Sequence, residues 1–131
     1  IYPEGSRFSP AKKDRIVARL REQGREEAAR EAESLRHVLR PRSGGPLALL
    51  EAAPDADVLF LAHTGFEGSA SFDRFFNGGL IHRTVHARIR AVRAEDVPKD
   101  EAARREWMMA EWRLVDDFVN QHRLPDLEGK S

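Results

Sequence analysis

The stretch "ADVLFLAH", Ala56 to His63, decides the fold class. Val58 to Ala62 is an uninterrupted apolar run, with Pro54-Asp55 before it and Thr64-Gly65 after it. A run of this length between turn residues suits a strand buried on both faces, as in a parallel sheet covered by helices. A second strand is expected from Thr84, where Val85, Ala87, Ile89 and Ala91 alternate with His86, Arg88 and Arg90. Period-two alternation of this kind gives a strand one wet face.

Helical segments surround these strands. "TGFEGSAS", Thr64 to Ser71, reads as a loop, and "FDRFFNGG", Phe72 to Gly79, as a brief helix closed by Gly78-Gly79. "EDVPKDEAARREW" leads into a last helix with Ala103, Trp107, Ala110, Leu114 and Phe118 on one stripe, before a frayed tail "LPDLEGKS". Upstream, "PLALLEAA" from Pro46 is a short helix ended by Pro54-Asp55. Further upstream, Ser9 is placed to cap a helix with Pro10 in its first position. Ile16, Val17, Leu20, Ala28, Leu35, Val38 and Leu39 continue at helical spacing, with a kink or break at Gly24, until "RPRSGG" stops the helix. The charged stretch around Gly24 reads as a solvated helix face. Ile1-Tyr2 looks like the end of a strand, and "PEGSRFSP" like the turn that follows. Strand end, helices, buried strand, short helix, half-exposed strand, helix: the order predicts an α/β domain with a mixed, largely parallel sheet flanked by helices.

Composition narrows the function. With 131 residues the chain suits one compact domain. Twenty-two Lys and Arg balance 22 Asp and Glu, so nothing global points to nucleic acid, and attraction must come from local patches. The absence of cysteine excludes disulfides, thiolate metal sites and a cysteine nucleophile. No stretch approaches the roughly 20 apolar residues of a membrane-spanning helix.

Ligands of open α/β sheets bind beyond the carboxyl ends of strands, and two such ends are expected here. The first is "PEGSR": Gly5 admits close backbone approach, Ser6 offers a hydroxyl, and Arg7 a planar fork suited to phosphate or carboxylate. Lys12 and Lys13 follow near a helix N-terminus, where the dipole also favours anions. The second is His63-Thr64, where a hydrogen-bonded structural His is the simpler expectation. His82 and His86 lack a neighbouring carboxylate, so no metal site is expected. Gly44-Gly45-Pro46 lacks the Lys and Ser or Thr of a phosphate-binding loop. Asp116-Asp117 read as solvated charges. Trp107, Met108, Met109 and Trp112, flanked by Arg104, Arg105 and Arg113, could meet a membrane surface; packing on the sheet or on further segments is preferred.

"IYPEGSRF" resembles the Phe-Pro-Glu-Gly-Thr-Arg motif of the glycerolipid acyltransferases, the lysophosphatidic acid acyltransferase family. Tyr2 stands for Phe and Ser6 for Thr. "KKDRIVARLREQG" is similar to the Lys-rich helix after that motif, and "LRHVLRPRSGG" to a Leu-Pro-Arg segment in one branch of the family. "DVLFLAHTG" sits where a further strand would follow, without the family's usual Pro. The resemblance covers about the first two-thirds of the chain. It implies a membrane-associated enzyme that moves a fatty acyl group from acyl-CoA or acyl-carrier protein to a lysophospholipid acceptor at the cytoplasmic face of a membrane, with no bound cofactor. Arg7 would pair with the acceptor's phosphate, Gly5 and Ser6 would shape the turn, and Glu4 would orient the loop.

The family's catalytic motif is missing, as is its upstream acceptor-binding motif. The general base of these enzymes is a His followed by four residues and an Asp, upstream of the Pro-Glu-Gly motif. Five residues after His37, His63, His82, His86 and His122 stand Arg42, Gly68, Ala87, Ala91 and Leu127. Residues 1–123 are therefore expected to be the C-terminal part of an acyltransferase domain, with 124–131 as a tail, and the isolated chain to be inactive. The alternative is a non-enzymatic α/β module that binds anions or a membrane surface.

Overall fold

The computed structural model describes residues 1–5, 7–64 and 86–122. Its elements are α1 (Pro10–Glu22), α2 (Glu26–Ser34), α3 (Gly44–Ala52), β1 (Val58–Thr64), β2 (His86–Val92), a 3-10 turn at Ala94–Asp96, and α4 (Glu101–His122). The expected loop and helix within 64–79, the start of the second strand at Thr84-Val85, His82, Ser6 and the tail lie outside the described residues, except for Thr64, which ends β1.

Helix α1 starts as its sequence dictates. Ser9 is extended at φ -150° and ψ 150°, its side chain accepts from the Lys12 N–H, and Pro10 occupies the first turn. Gly24, at φ 71°, ends it: the Gly24 N–H donates to the Arg21 carbonyl and the Arg25 N–H to that of Leu20. Those two bonds and the left-handed glycine form a Schellman closure, so the kink is a full break. Helix α2 folds back on α1. Val17, Leu20, Ala28, Ala29 and Ala32 bury a small core between them, with Ile16 at its margin. Arg21 spans the two helices, bonding Glu33 at 2.9 Å and Glu26 at 3.4 Å on the charged outer face.

The helical spacing of Leu35, Val38 and Leu39 misleads, because α2 ends at Ser34 and these residues lie in a non-helical strap. All three are buried. Leu35 and Val38 join Ala62, Met109, Trp112, Val115 and Phe118 in the main core, with Phe60 and Val119 packed against it. Apolar spacing identified which residues are inside, but not the backbone that carries them there.

Among the described residues the expected mixed, largely parallel sheet flanked by helices is not formed. Strands β1 and β2 pair antiparallel, from Val58 opposite Val92 to Thr64 opposite His86, and make a two-stranded sheet with α4 on one face. Ile1-Tyr2 is not a strand end either; both residues are exposed and outside any ladder. The run Val58–Ala62 is buried on one face only: Ala62 is buried and Phe60 half-buried, whereas Leu59 and Leu61 are 68% and 57% exposed. A short apolar run fits a two-faced or a one-faced strand equally well, which is why the parallel inference failed.

In β2 the faces are the reverse of what polarity suggests. Ile89 is 68% exposed opposite Leu61, while Arg88 and Arg90 lie on the side of α4. The arginines are accommodated there because α4 supplies partners. Glu111 takes Arg90 in a two-pronged contact of 2.8 and 3.0 Å, and Arg88 donates to the Leu114 carbonyl while covering the Phe118 ring. Helix α4 is correspondingly rotated from its expected stripe. Met108, Met109, Trp112, Val115 and Phe118 are buried, and Ala110 and Leu114 are exposed.

Candidate functional site

The turn at residues 2–5 is closed by the Gly5 N–H donating to the Tyr2 carbonyl at 3.1 Å, with Pro3 presetting its first corner. Gly5 leaves the turn at φ 74°, a conformation that glycine adopts without cost. The turn lies on the strap that follows α2. Glu4 accepts from the Leu39 N–H at 2.8 Å, the Arg42 N–H donates to the Pro3 carbonyl at 2.8 Å, and the Ile1 side chain approaches the α-carbon of Gly45. Residues 1–5 thus run antiparallel to residues 45–39. The structure brings together the two stretches, "IYPEGSRF" and "LRHVLRPRSGG", that carry the family resemblance.

The strap, which has no regular ladder, is held by side chains. Asp116 of α4 accepts from the Arg36 N–H at 3.1 Å and the His37 N–H at 2.7 Å, and the Arg36 guanidinium stands 3.5 Å away. The Trp112 indole N–H donates to the Leu39 carbonyl at 3.0 Å. Leu39 therefore has its N–H fixed by Glu4 and its carbonyl by Trp112, which accounts for polar backbone that burial would otherwise strand. Arg40 pairs with Glu31 at 3.0 Å and ties the strap to α2.

Glu4 is 8% exposed. Burial pushes its carboxyl up to about 7; the Leu39 N–H opposes that rise and the nearby Asp116 charge adds to it. Between the ordinary value of 4.5 and 7, the folded chain holds a proton that the unfolded chain releases. Stability contributed by protonated Glu4 is thus present below pH 4.5 and lost as pH rises to 7, by about 3 kcal/mol in all. Urea unfolding at pH 5 and pH 8 measures this change. Glu4→Gln keeps an acceptor for Leu39 and is expected to flatten the dependence; an equally steep variant would show that another group is responsible.

Arg7 is exposed, and its carbonyl accepts from Lys12 Nζ at 3.0 Å. Its positive charge opposes the rise that burial and Glu4 impose on the Tyr2 hydroxyl, so the guanidinium acts on the mouth of the turn. Glu4, Gly5 and Arg7 thus line one turn, while Ser6 lies outside the described residues. Comparison with protein-family models, with curated proteins and with solved structures yields no match.

The other candidates disperse. His63 is on the exposed face of β1, Thr64 is buried, and the His86 ring lies 5.2 Å from that of His122. Among the described residues no group of three or more His, Asp or Glu could hold a metal ion. Trp112 is buried in the core and Trp107 meets Phe60 edge-on at 5.4 Å, so these two rings pack on the sheet as preferred. No described helix is long and apolar enough to cross a membrane. Asp116 is not the solvated charge expected: it is 3% exposed, and only Asp117, which pairs with Arg36 at 2.9 Å, faces water. The signal was present, since Asp116 lies four residues after Trp112 and adjoins Val115 on the apolar stripe.

Proposed function

We propose that the chain carries the acceptor-phosphate site of a glycerolipid acyltransferase. In that role the turn Glu4–Arg7 holds the phosphate of a lysophosphatidate-like acceptor at the cytoplasmic face of a membrane, and acyl-CoA or acyl-carrier protein supplies the fatty acyl group. The observation that carries this proposal is the antiparallel packing of residues 1–5 on residues 39–45. Two stretches that resemble one family in sequence order also share one site in space.

The chemistry divides accordingly. Arg7 supplies charge and a planar fork to the phosphate, and a guanidinium gives up its water more readily than an ammonium does. Buried Glu4 sets the turn on the strap rather than touching the acceptor. The general base that would take the acceptor's hydroxyl proton is not a function of the five histidines here, none of which is followed at the fifth position by Asp. Acyl transfer by this chain alone is therefore not expected.

Titration of the 131-residue chain with sn-glycerol 3-phosphate, followed by amide NMR shifts, tests the assignment. Shifts are expected to centre on residues 2–7. Arg7→Gln is expected to weaken binding about ten- to a hundredfold, the range for losing a charge-assisted contact. Unchanged affinity in that variant would remove Arg7 from the site.

A further inference from the structure

We propose that residues 1–5 form a proton-operated latch: neutral Glu4 pegs the turn to the strap, and its ionisation releases the turn while the strap stays on α4. The inference concerns how the turn is held and stands apart from the acceptor-phosphate assignment.

A turn that packs on a core is ordinarily anchored by an apolar side chain. Here the anchor is an acid. Of residues 1–5 only Glu4 is buried, while Ile1 and Tyr2 are 80% and 55% exposed. Its carboxyl takes the Leu39 N–H at 2.8 Å. The other ties to the strap are the Arg42 N–H on the Pro3 carbonyl, the Ile1 side chain against Gly45, and the Arg42 guanidinium over Gly5, where a Cβ would lie 3.4 Å from Cζ. Ile1, Gly5, Arg42 and Gly45 are all exposed, so these ties bury little apolar surface.

The strap has anchors of its own. Asp116 holds the Arg36 and His37 N–H groups, Trp112 the Leu39 carbonyl, and Glu31 the Arg40 guanidinium. None of these involves residues 1–5, so the turn can part from the strap without α4 letting go.

The charges around Glu4 set the direction of the switch. On α4, Asp116 has two backbone N–H donors and the Arg36 guanidinium at 3.5 Å, and Asp117 pairs with the same guanidinium at 2.9 Å. Glu4 has one N–H and no ion pair among the described residues. On the strap, Arg42 lies over Gly5, Arg40 is taken by Glu31, and the His37 ring meets Asn120. On its own segment, the Tyr2 hydroxyl feels the charges of both Glu4 and Arg7. Burial first, and the Asp116 charge after it, push the Glu4 carboxyl up to about 7 against the pull of the Leu39 N–H. Opened to water, the same carboxyl returns to its ordinary 4.5. The closed latch thus keeps a proton that the open one sheds: it is tightest below pH 4.5 and loosens as pH rises to 7. A ligand that requires the closed turn is bound with uptake of a proton, and more weakly as pH rises over the same range.

Amide hydrogen exchange of the 131-residue chain tests the latch. With 4.5 for the open turn and about 7 for the closed one, the open-to-closed ratio rises about 25-fold between pH 5.5 and pH 8. After correction for intrinsic exchange, the Leu39 and Arg42 N–H groups are expected to lose protection by that factor. Their exchange should not respond to low urea, because opening the turn exposes little surface, whereas that of Ala29 in the α1–α2 core should. Glu4→Gln keeps an acceptor for Leu39 and is expected to leave both amides equally protected at the two pH values. Leu39 and Arg42 exchanging with the same urea dependence as Ala29 would overturn the latch, since only global unfolding would then sense Glu4. Wild-type protection that does not change with pH overturns it too, as does a loss in Glu4→Gln as large as in wild type.

Discussion

Trp112→Ala is expected to lower stability by about 4 kcal/mol, within the range for deleting a buried Trp side chain. The indole is 8% exposed and packs with Leu35, Val38, Met109 and Val115, so its removal opens a cavity where α4, the sheet and the strap meet. A second cost follows from the polar contact. Without the indole N–H, the Leu39 carbonyl at 3.0 Å loses its donor in a dry place. Trp112→Phe weighs the second cost more heavily, since it keeps much of the apolar volume while losing the donor, for a fall of about 1–2 kcal/mol. Urea unfolding of both variants at one pH provides the comparison. Equal losses would mean that the hydrogen bond, not the volume, dominates; a loss below 1 kcal/mol in Trp112→Ala would show that the indole is not a keystone of the core.

These contacts explain what could be foreseen from the sequence. Local signals were legible because their physics is local: the Ser9 cap, Pro10 in the first turn, the stop at Gly24 and the turn at Pro3–Gly5 each need only neighbouring residues. Sheet pairing was not legible. Val58–Ala62 is apolar throughout, and only the pairing with β2 and the position of α4 decide that Leu59 and Leu61 face outward. The orientation of β2 was missed for a related reason. Arg88 and Arg90 look solvated until Glu111 and the Leu114 carbonyl, more than 20 residues away in sequence, provide their partners. Glu111 and Asp116 carried a usable warning, since each falls beside Trp112 or Val115 on an apolar helix face. Acids in such positions imply a buried donor. Of the candidate site, Glu4, Gly5 and Arg7 could be read from residue types alone, whereas the place of the Arg42 guanidinium over Gly5 could not: it depends on how the strap after α2, whose Leu35, Val38 and Leu39 have helical spacing without a helix, packs on the turn.

Asp116→Ala tests whether the strap, and with it the site, depends on a single carboxylate, and its expected cost is about 3–5 kcal/mol. The substitution strands the N–H groups of Arg36 and His37 and takes from the Arg36 guanidinium its buried partner at 3.5 Å. Asp116→Asn preserves volume and one acceptor oxygen, so a smaller loss of about 1–2 kcal/mol is expected. Both are measured by urea unfolding at pH 8, where Glu4 is ionised in the wild type. The pair of variants also reaches Glu4. The Asp116 charge helps to hold the Glu4 carboxyl near 7, so neutralising it should move the Glu4 titration towards the ordinary carboxylate range. The pH at which stability falls off should move down with it. In a carbon-detected NMR titration of Asp116→Asn, an unmoved Glu4 midpoint would assign its raised value to burial alone. A lowered midpoint would show that the Asp116 charge on α4 reaches the turn, one carboxylate holding the backbone of residues 36–37 and the other that of residue 39. The turn at residues 2–5 would then be set by α4 as well as by its own sequence.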